Sequence, residues 1–111
     1  MAEHSGHTRR LIQRLERAGV PINSSISAAM RSVDVGEFTD YELEPFWHDR
    51  PLVFLETTKG GVKTISAPHM ISTMLHHLEL APGHEVLILG AKGGYIAALV
   101  AHIVGPEGGV V

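Results

Sequence analysis

The spacing of apolar positions divides this chain into helical and extended stretches. Leu11, Ile12 and Leu15 fall at i, i+1 and i+4, a narrow stripe that predicts a first helix over residues 4–18. Gly19 and Pro21 follow as stop signals. Ile26, Ala29 and Met30, at i, i+3 and i+4, predict a second helix over residues 25–31, with Asn23, Ser24 or Ser25 as its cap. Residues 33–37 read as a loop around Gly36. Thr39 or Asp40 would cap a short helical turn holding Tyr41, Leu43 and Phe46, with Trp47 beside it, and these aromatics read as core.

Between residues 50 and 66 the pattern turns to β-branched and aromatic residues: Val53, Phe54, Val62, Thr64 and Ile65. The polar run at 57–61, with Lys59-Gly60-Gly61, splits this segment into a hairpin. A helix then starts at Ser66-Ala67-Pro68-His69, with Ser66 as cap and Pro68 in the first turn. It runs to about Leu80, with Met70, Met74, Leu75 and Leu78 as its apolar face, and Ala81-Pro82-Gly83 ends it. The apolar run 86–89 reads as a strand stopping at Gly90. The turn Gly90-Ala91-Lys92-Gly93-Gly94 and an apolar helix over 95–104 follow. Gly108-Gly109-Val110-Val111 reads as a turn entering a second strand.

Strand, glycine turn, helix and strand make a nucleotide-binding βαβ unit. The glycines let the backbone pass close to a ligand, and the free N–H groups of the helix start favour negative charge. A parallel sheet is buried on both faces and needs several strands, so the chain reads as part of a larger fold. Its open strand edge predicts a dimer, a larger assembly or strand exchange.

Composition narrows the classes. The 111 residues suit one domain, and a hydrophobic fraction of 44% means a folded chain. That domain reads as a helical segment over 1–48, a hairpin over 49–66, and the start of an α/β core over 67–111. A net charge of −3 argues against a dedicated nucleic-acid binder. The absence of cysteine excludes a disulfide framework and thiol chemistry. The opening MAEHSGHTRR lacks the apolar core of a signal peptide, and no run reaches membrane-spanning length. A cytoplasmic location with no membrane partner is the expectation.

Two clusters invite chemistry. Arg9, Arg10, Arg14 and Arg17 read either as an anion-binding face or as a solvated helix flank, and the flank is preferred. Of the eight histidines, His4 and His7 fall where the first helix is expected to fray. His76 and His77 are adjacent and expected on different sides of a helix. His69 and His76 are seven apart on one face, but no carboxylate stands at the HExxH spacing, so no metal site is expected. The glycine turn is not a P-loop, because Lys92 lies inside it and no Gly-Lys-Ser/Thr follows. Nor is it a regular GxGxxG, since Lys92 stands at the second glycine's place. Taken alone it is open between a ligand cradle, a phosphate contact through Lys92, and a connection that binds nothing.

Two segments together resemble the protein-L-isoaspartate O-methyltransferase family. Thr64-Ile65-Ser66-Ala67-Pro68-His69-Met70 looks like its TISxPHM motif, and VLILGAKGGYIAAL looks like its VLEIGTGSGYxAAL. Weaker agreement lies in Ala29-Met30-Arg31, Val33, Phe38 and Asp49-Arg50-Pro51-Leu52, so the resemblance covers most of the chain from Ala29. It implies the N-terminal portion of a class I, Rossmann-like α/β fold using S-adenosylmethionine. It further implies methyl transfer to the α-carboxylate of isoaspartyl residues, a protein-repair reaction on isoaspartyl-containing peptides or proteins. Ser66 corresponds to the active-site serine that orients the carboxylate. Thr64, Ile65, Gly90, Lys92, Gly93, Gly94 and Tyr95 would border the cofactor.

The sequence departs from the family pattern at Ile88, where an acidic residue is usual, at Lys92, and at Gly93, where serine is usual. The segment from Pro51 to Thr64 is longer than usual, and Val62-Lys63 replaces a GQ pair. In the family that this chain resembles, an acidic residue that grips the ribose ends the second strand, and these 111 residues stop before that position. Turnover by these 111 residues alone is therefore not expected. A non-catalytic binding module on the same fold is the alternative reading.

Overall fold

The computed structural model describes residues 2–111. The stripe of Leu11, Ile12 and Leu15 is buried and packs α1 (Ala2–Arg17) onto its neighbours. Asn23 caps α2 (Ser24–Ser32): its Oδ1 accepts the Ile26 N–H at 2.9 Å. Ile26, Ala29 and Met30 are buried as the periodicity requires, and α2 packs against α1 and against the helices over Pro68–Leu78 and Tyr95–Val104. The Arg9, Arg10, Arg14 and Arg17 side chains are exposed, in line with a solvated flank, though Arg14 Nη1 also donates to the Trp47 carbonyl at 3.3 Å.

The next segment is more ordered than expected. Residues 33–37 do not form an open loop. Asp34 Oδ1 accepts the Gly36 N–H at 2.8 Å and starts a 3-10 turn over Val35–Phe38. Neither Thr39 nor Asp40 caps a helix. Thr39 Oγ1 accepts the Tyr41 N–H at 3.1 Å and donates to the Val53 carbonyl at 2.8 Å, which ties this segment to the hairpin. The short α3 (Glu44–Trp47) follows Leu43 without a side-chain cap, with Pro45 in its first turn. His4 and His7 are not frayed. The His7 ring stacks on Trp47 at 5.1 Å, and His4 lies 6.0 Å from it, with its Nδ1 3.3 Å from Asp34 Oδ1.

The expected hairpin is present. β1 (Leu52–Glu56) and β2 (Val62–Ile65) pair antiparallel, Leu52 with Ile65 and Val53 with Thr64. A bulge then shifts the register so that Leu55 faces Lys63, leaving Phe54 as the extra residue. Thr57 closes the turn, its N–H donating to the Gly61 carbonyl at 2.8 Å.

Two details of α4 (Pro68–Leu78) correct the reading of its sequence. Ser66 is not its cap. Proline biases the residue before it toward extended backbone, so Ala67 takes φ −60, ψ 146 and the helix begins at Pro68. The capping oxygen comes from Asp49, whose Oδ1 accepts the His69 N–H at 2.8 Å. The buried face is also different: Pro68, Ile71, Ser72 and Leu75 are buried, while Met70, Met74 and Leu78 are exposed. The buried hydroxyl of Ser72 is satisfied by donating to the Pro21 carbonyl, so a polar residue occupies a core position. The rings of His76 and His77, both exposed, touch at 5.4 Å rather than diverging.

The βαβ unit closes as expected. β3 (Glu85–Val86) runs parallel to β4 (Gly109–Val110), with α5 (Tyr95–Val104) between them. The strand expected at 86–89 is displaced toward its N-terminal end. Pairing continues as far as Ile88, whose N–H donates to the Val111 carbonyl at 2.9 Å. Leu87 and Leu89 remain 68% and 85% exposed. Beneath the sheet, Leu99, Val100, Ile103 and Val104 of α5 join Ile26, Met30, Phe46 and Ile71 in one core. The core thus holds the start of α5, and with it the glycine turn, against the end of β2.

Candidate functional site

The bend after Ile88 is held from three sides. The Gly94 N–H donates to the Ala91 carbonyl at 3.0 Å, closing the turn. Gly94 itself has φ +95, a conformation an L side chain resists. Tyr95 starts α5 and is only 3% exposed, in edge contact with Phe38 at 5.6 Å and Phe46 at 5.7 Å. Burial, with the Asp34 charge adding to it, pushes the Tyr95 phenol well above its usual range. Tyr95 therefore anchors the turn into the aromatic core. Gly93 lies against the Phe54 ring: a Cβ there would stand 3.2 Å from Phe54 Cδ2. The bulge of β1 thus brings the hairpin down onto the glycine turn.

Lys92 carries φ +52, the left-handed region that glycine occupies without strain. Lys92 is exposed.

A cavity of about 340 Å³ lies where these elements meet. Thr64, Ile65 and Ser66 form one wall, and Gly90, Lys92, Gly93, Gly94 and Tyr95 form another. All the residues singled out from the two motifs therefore face one space. Phe54, Met74, Ile88, Leu89, Ala91 and Ile96 complete the lining and were not among the site residues expected from the sequence. Leu89 could have been found, since it directly precedes the turn. Phe54 could not, because nothing local announces the bulge. No described residue hydrogen-bonds the Ser66 hydroxyl, so that group is free for a ligand. The N-terminus of α5 opens on the cavity with no side-chain cap and no acid in its first turn. Its free N–H groups suit an anion. Among the described residues lining the cavity, Lys92 is the one charged side chain, and no carboxylate faces the space. No group of metal ligands exists among the described residues.

The family profile described as protein-L-isoaspartate(D-aspartate) O-methyltransferase matches residues 6–111. The chain belongs to that family. Among curated relatives, the protein-L-isoaspartate O-methyltransferase of Methanopyrus kandleri is 40% identical over 102 residues, covering 92% of this chain and 43% of the relative. That of Methanothermobacter thermautotrophicus is 39% identical over 101 residues, covering 90% and 44%. The chain thus spans about two fifths of the length of the relatives it matches. A solved protein-L-isoaspartate O-methyltransferase superposes with a TM-score of 0.79 at 28% identity, covering 93% of this chain and 32% of that one. A structure from Plasmodium falciparum, described as a putative member in complex with S-adenosyl-L-homocysteine, superposes at 0.72 with 25% identity, covering 96% and 46%. Within the family's fold this chain is helix-rich α/β, with the glycine turn and the Ser66 motif brought to one cavity. Among the described residues, no helix is long and apolar enough to cross a membrane.

Proposed function

We propose that this chain serves methyl transfer from S-adenosylmethionine to the α-carboxylate of isoaspartyl residues, and that its 111 residues hold the donor-facing part of the site. When bound, the cofactor supplies an electrophilic methyl: a carboxylate oxygen forms the new O–C bond while the C–S electron pair stays on sulfur. What this chain contributes is placement. The Ser66 hydroxyl donates a hydrogen bond to the incoming carboxylate, Thr64 and Ile65 wall the donor, and the α5 N-terminus receives the donor's own carboxylate. The observation that supports this reading is the convergence of both motif segments on one cavity.

Turnover by these residues alone is not expected, because no described acid faces the cavity to hold the ribose hydroxyls. Calorimetric titration with S-adenosylmethionine and S-adenosylhomocysteine, followed by a methyl-transfer assay on an isoaspartyl peptide, tests both points. Saturable heat without methylated peptide is the expected result. No heat from either compound at millimolar concentration overturns donor binding and leaves a non-catalytic interaction module, the reading that Lys92 favours. The same proposal includes pairing of two copies along the open edge near Leu87, Leu89 and Val111, all strongly exposed. A monodisperse monomer in light scattering removes that part.

A further inference from the structure

The charge of the cavity does not match the charge of the methyl donor. S-adenosylmethionine carries a sulfonium, an ammonium and a carboxylate. Its demethylated product carries the last two alone. The two molecules present the same adenosine and the same amino-acid end, so any difference in their binding reports on how the site treats one positive charge at sulfur. Here that charge meets no opposite charge. Among the described lining residues there is no carboxylate, and Ile88, two residues before Gly90 on the strand side, is apolar. What the site does present is positive. Lys92 stands in the turn itself, and α5 opens on the cavity with an uncapped N-terminus and no acid in its first turn.

We propose that Lys92 makes this cavity selective for the uncharged thioether over the sulfonium, so that the chain holds the product S-adenosylhomocysteine in preference to the donor. This inference rests on the cavity being the cofactor site of the proposed function. The shape of the turn leaves Lys92 free to act this way. Lys92 has φ +52 and is exposed, while Gly93 and Gly94 lie against the Phe54 and Phe38 rings. The lysine therefore brings the one charge to a lining that otherwise has none. A unit charge acting across a separation on the order of one Debye length, at the effective dielectric of a protein surface, changes a binding constant by about three- to tenfold. The ammonium and carboxylate of the ligand are common to both compounds and cancel from the ratio.

The test is the ratio of the two dissociation constants, measured by calorimetry for the wild-type chain and for Lys92→Gln. The glutamine keeps a polar, unbranched stem one atom shorter than lysine's and removes the charge. The expected result is tighter binding of the thioether by wild type, and a ratio that shrinks by about three- to tenfold in Lys92→Gln. A second measurement needs no variant. In wild type, raising the ionic strength from about 0.01 to 1 M should narrow the ratio, because the Debye length falls from about 30 to 3 Å. A ratio unchanged by both the substitution and salt overturns the role of Lys92 and leaves the cofactor site standing. Tighter binding of the sulfonium in wild type has the same effect. Failure of both ligands to bind either protein removes this inference together with the proposed function.

Discussion

Gly108 carries a sharp test of how β4 is docked. A Cβ at this position would stand 2.6 Å from the His84 carbonyl oxygen, 2.6 Å from Val104 Cβ and 2.8 Å from Val104 Cγ2. Neither neighbour gives way cheaply. The His84 carbonyl accepts the Gly109 N–H at 3.1 Å, beside the first rung joining β4 to β3. Val104 is the last residue of α5 and is 1% exposed. Overpacking a tight site costs about 1–3 kcal/mol, and a clash with backbone belongs at the upper end. The stiffer unfolded chain of the alanine variant offsets about 0.4–1 kcal/mol. Gly108→Ala should therefore lose about 2–3 kcal/mol, or roughly 8–12 °C in Tm for a domain of this size. Urea titration followed by Trp47 fluorescence and far-UV circular dichroism measures it, with an unchanged m-value as the condition for comparison. Gly83→Ala is the matched control. Gly83 has φ +89 but no atom within 4 Å of its would-be Cβ, so it isolates the conformational cost of about 1 kcal/mol. If Gly108→Ala is no more destabilising than Gly83→Ala, the steric account of this junction is wrong.

Asp49→Ala should cost about 1 kcal/mol by removing the oxygen that caps α4 twenty residues away, whereas Asp49→Asn should keep most of that stability; equal losses in thermal melts would show that the cap is not the cause. Tyr95 should ionise only on unfolding. Its folded pKa is raised, so its contribution is complete below about pH 10 and falls as pH rises, by up to roughly 1.4 kcal/mol per pH unit. Stability measured at pH 9 and 11, with phenolate absorbance near 295 nm as the titration readout, checks this, and a Tyr95 that titrates freely at pH 10 in the folded protein would contradict it.

What could be read from the sequence was whatever is decided within one turn or one strand. The stripe of Leu11, Ile12 and Leu15, a cap among Asn23, Ser24 and Ser25 (Asn23 fills it) and the hairpin around Lys59-Gly60-Gly61 follow from neighbours a few residues apart, and all are present. What failed depends on distant partners. Met70, Met74 and Leu78 looked like the inner face of α4 because they are apolar. Ser72 is inside instead, because the Pro21 carbonyl, 51 residues away, accepts a hydrogen bond from its hydroxyl. Ser66 looked like a cap because it precedes Pro68, yet Asp49 takes that place from across the fold. His7 looked frayed until Trp47 gave it a stacking surface.

The cavity divides in the same manner. Its motif residues were legible, while Phe54 enters only through a register shift between strands. That shift bears on Lys92. The bend keeps its left-handed course at position 92 without a glycine. Three other contacts hold it: the Gly94 N–H on the Ala91 carbonyl, Gly93 on the Phe54 ring, and Tyr95 buried against Phe38 and Phe46. The path of the backbone is over-determined, so residue 92 can change at a strain cost of order 1 kcal/mol without undoing it. The potential inside the cavity has no such redundancy, because the lining holds one charged side chain among the described residues. A substitution at position 92 can therefore leave the shape of the site in place and still change which sulfur species the site prefers.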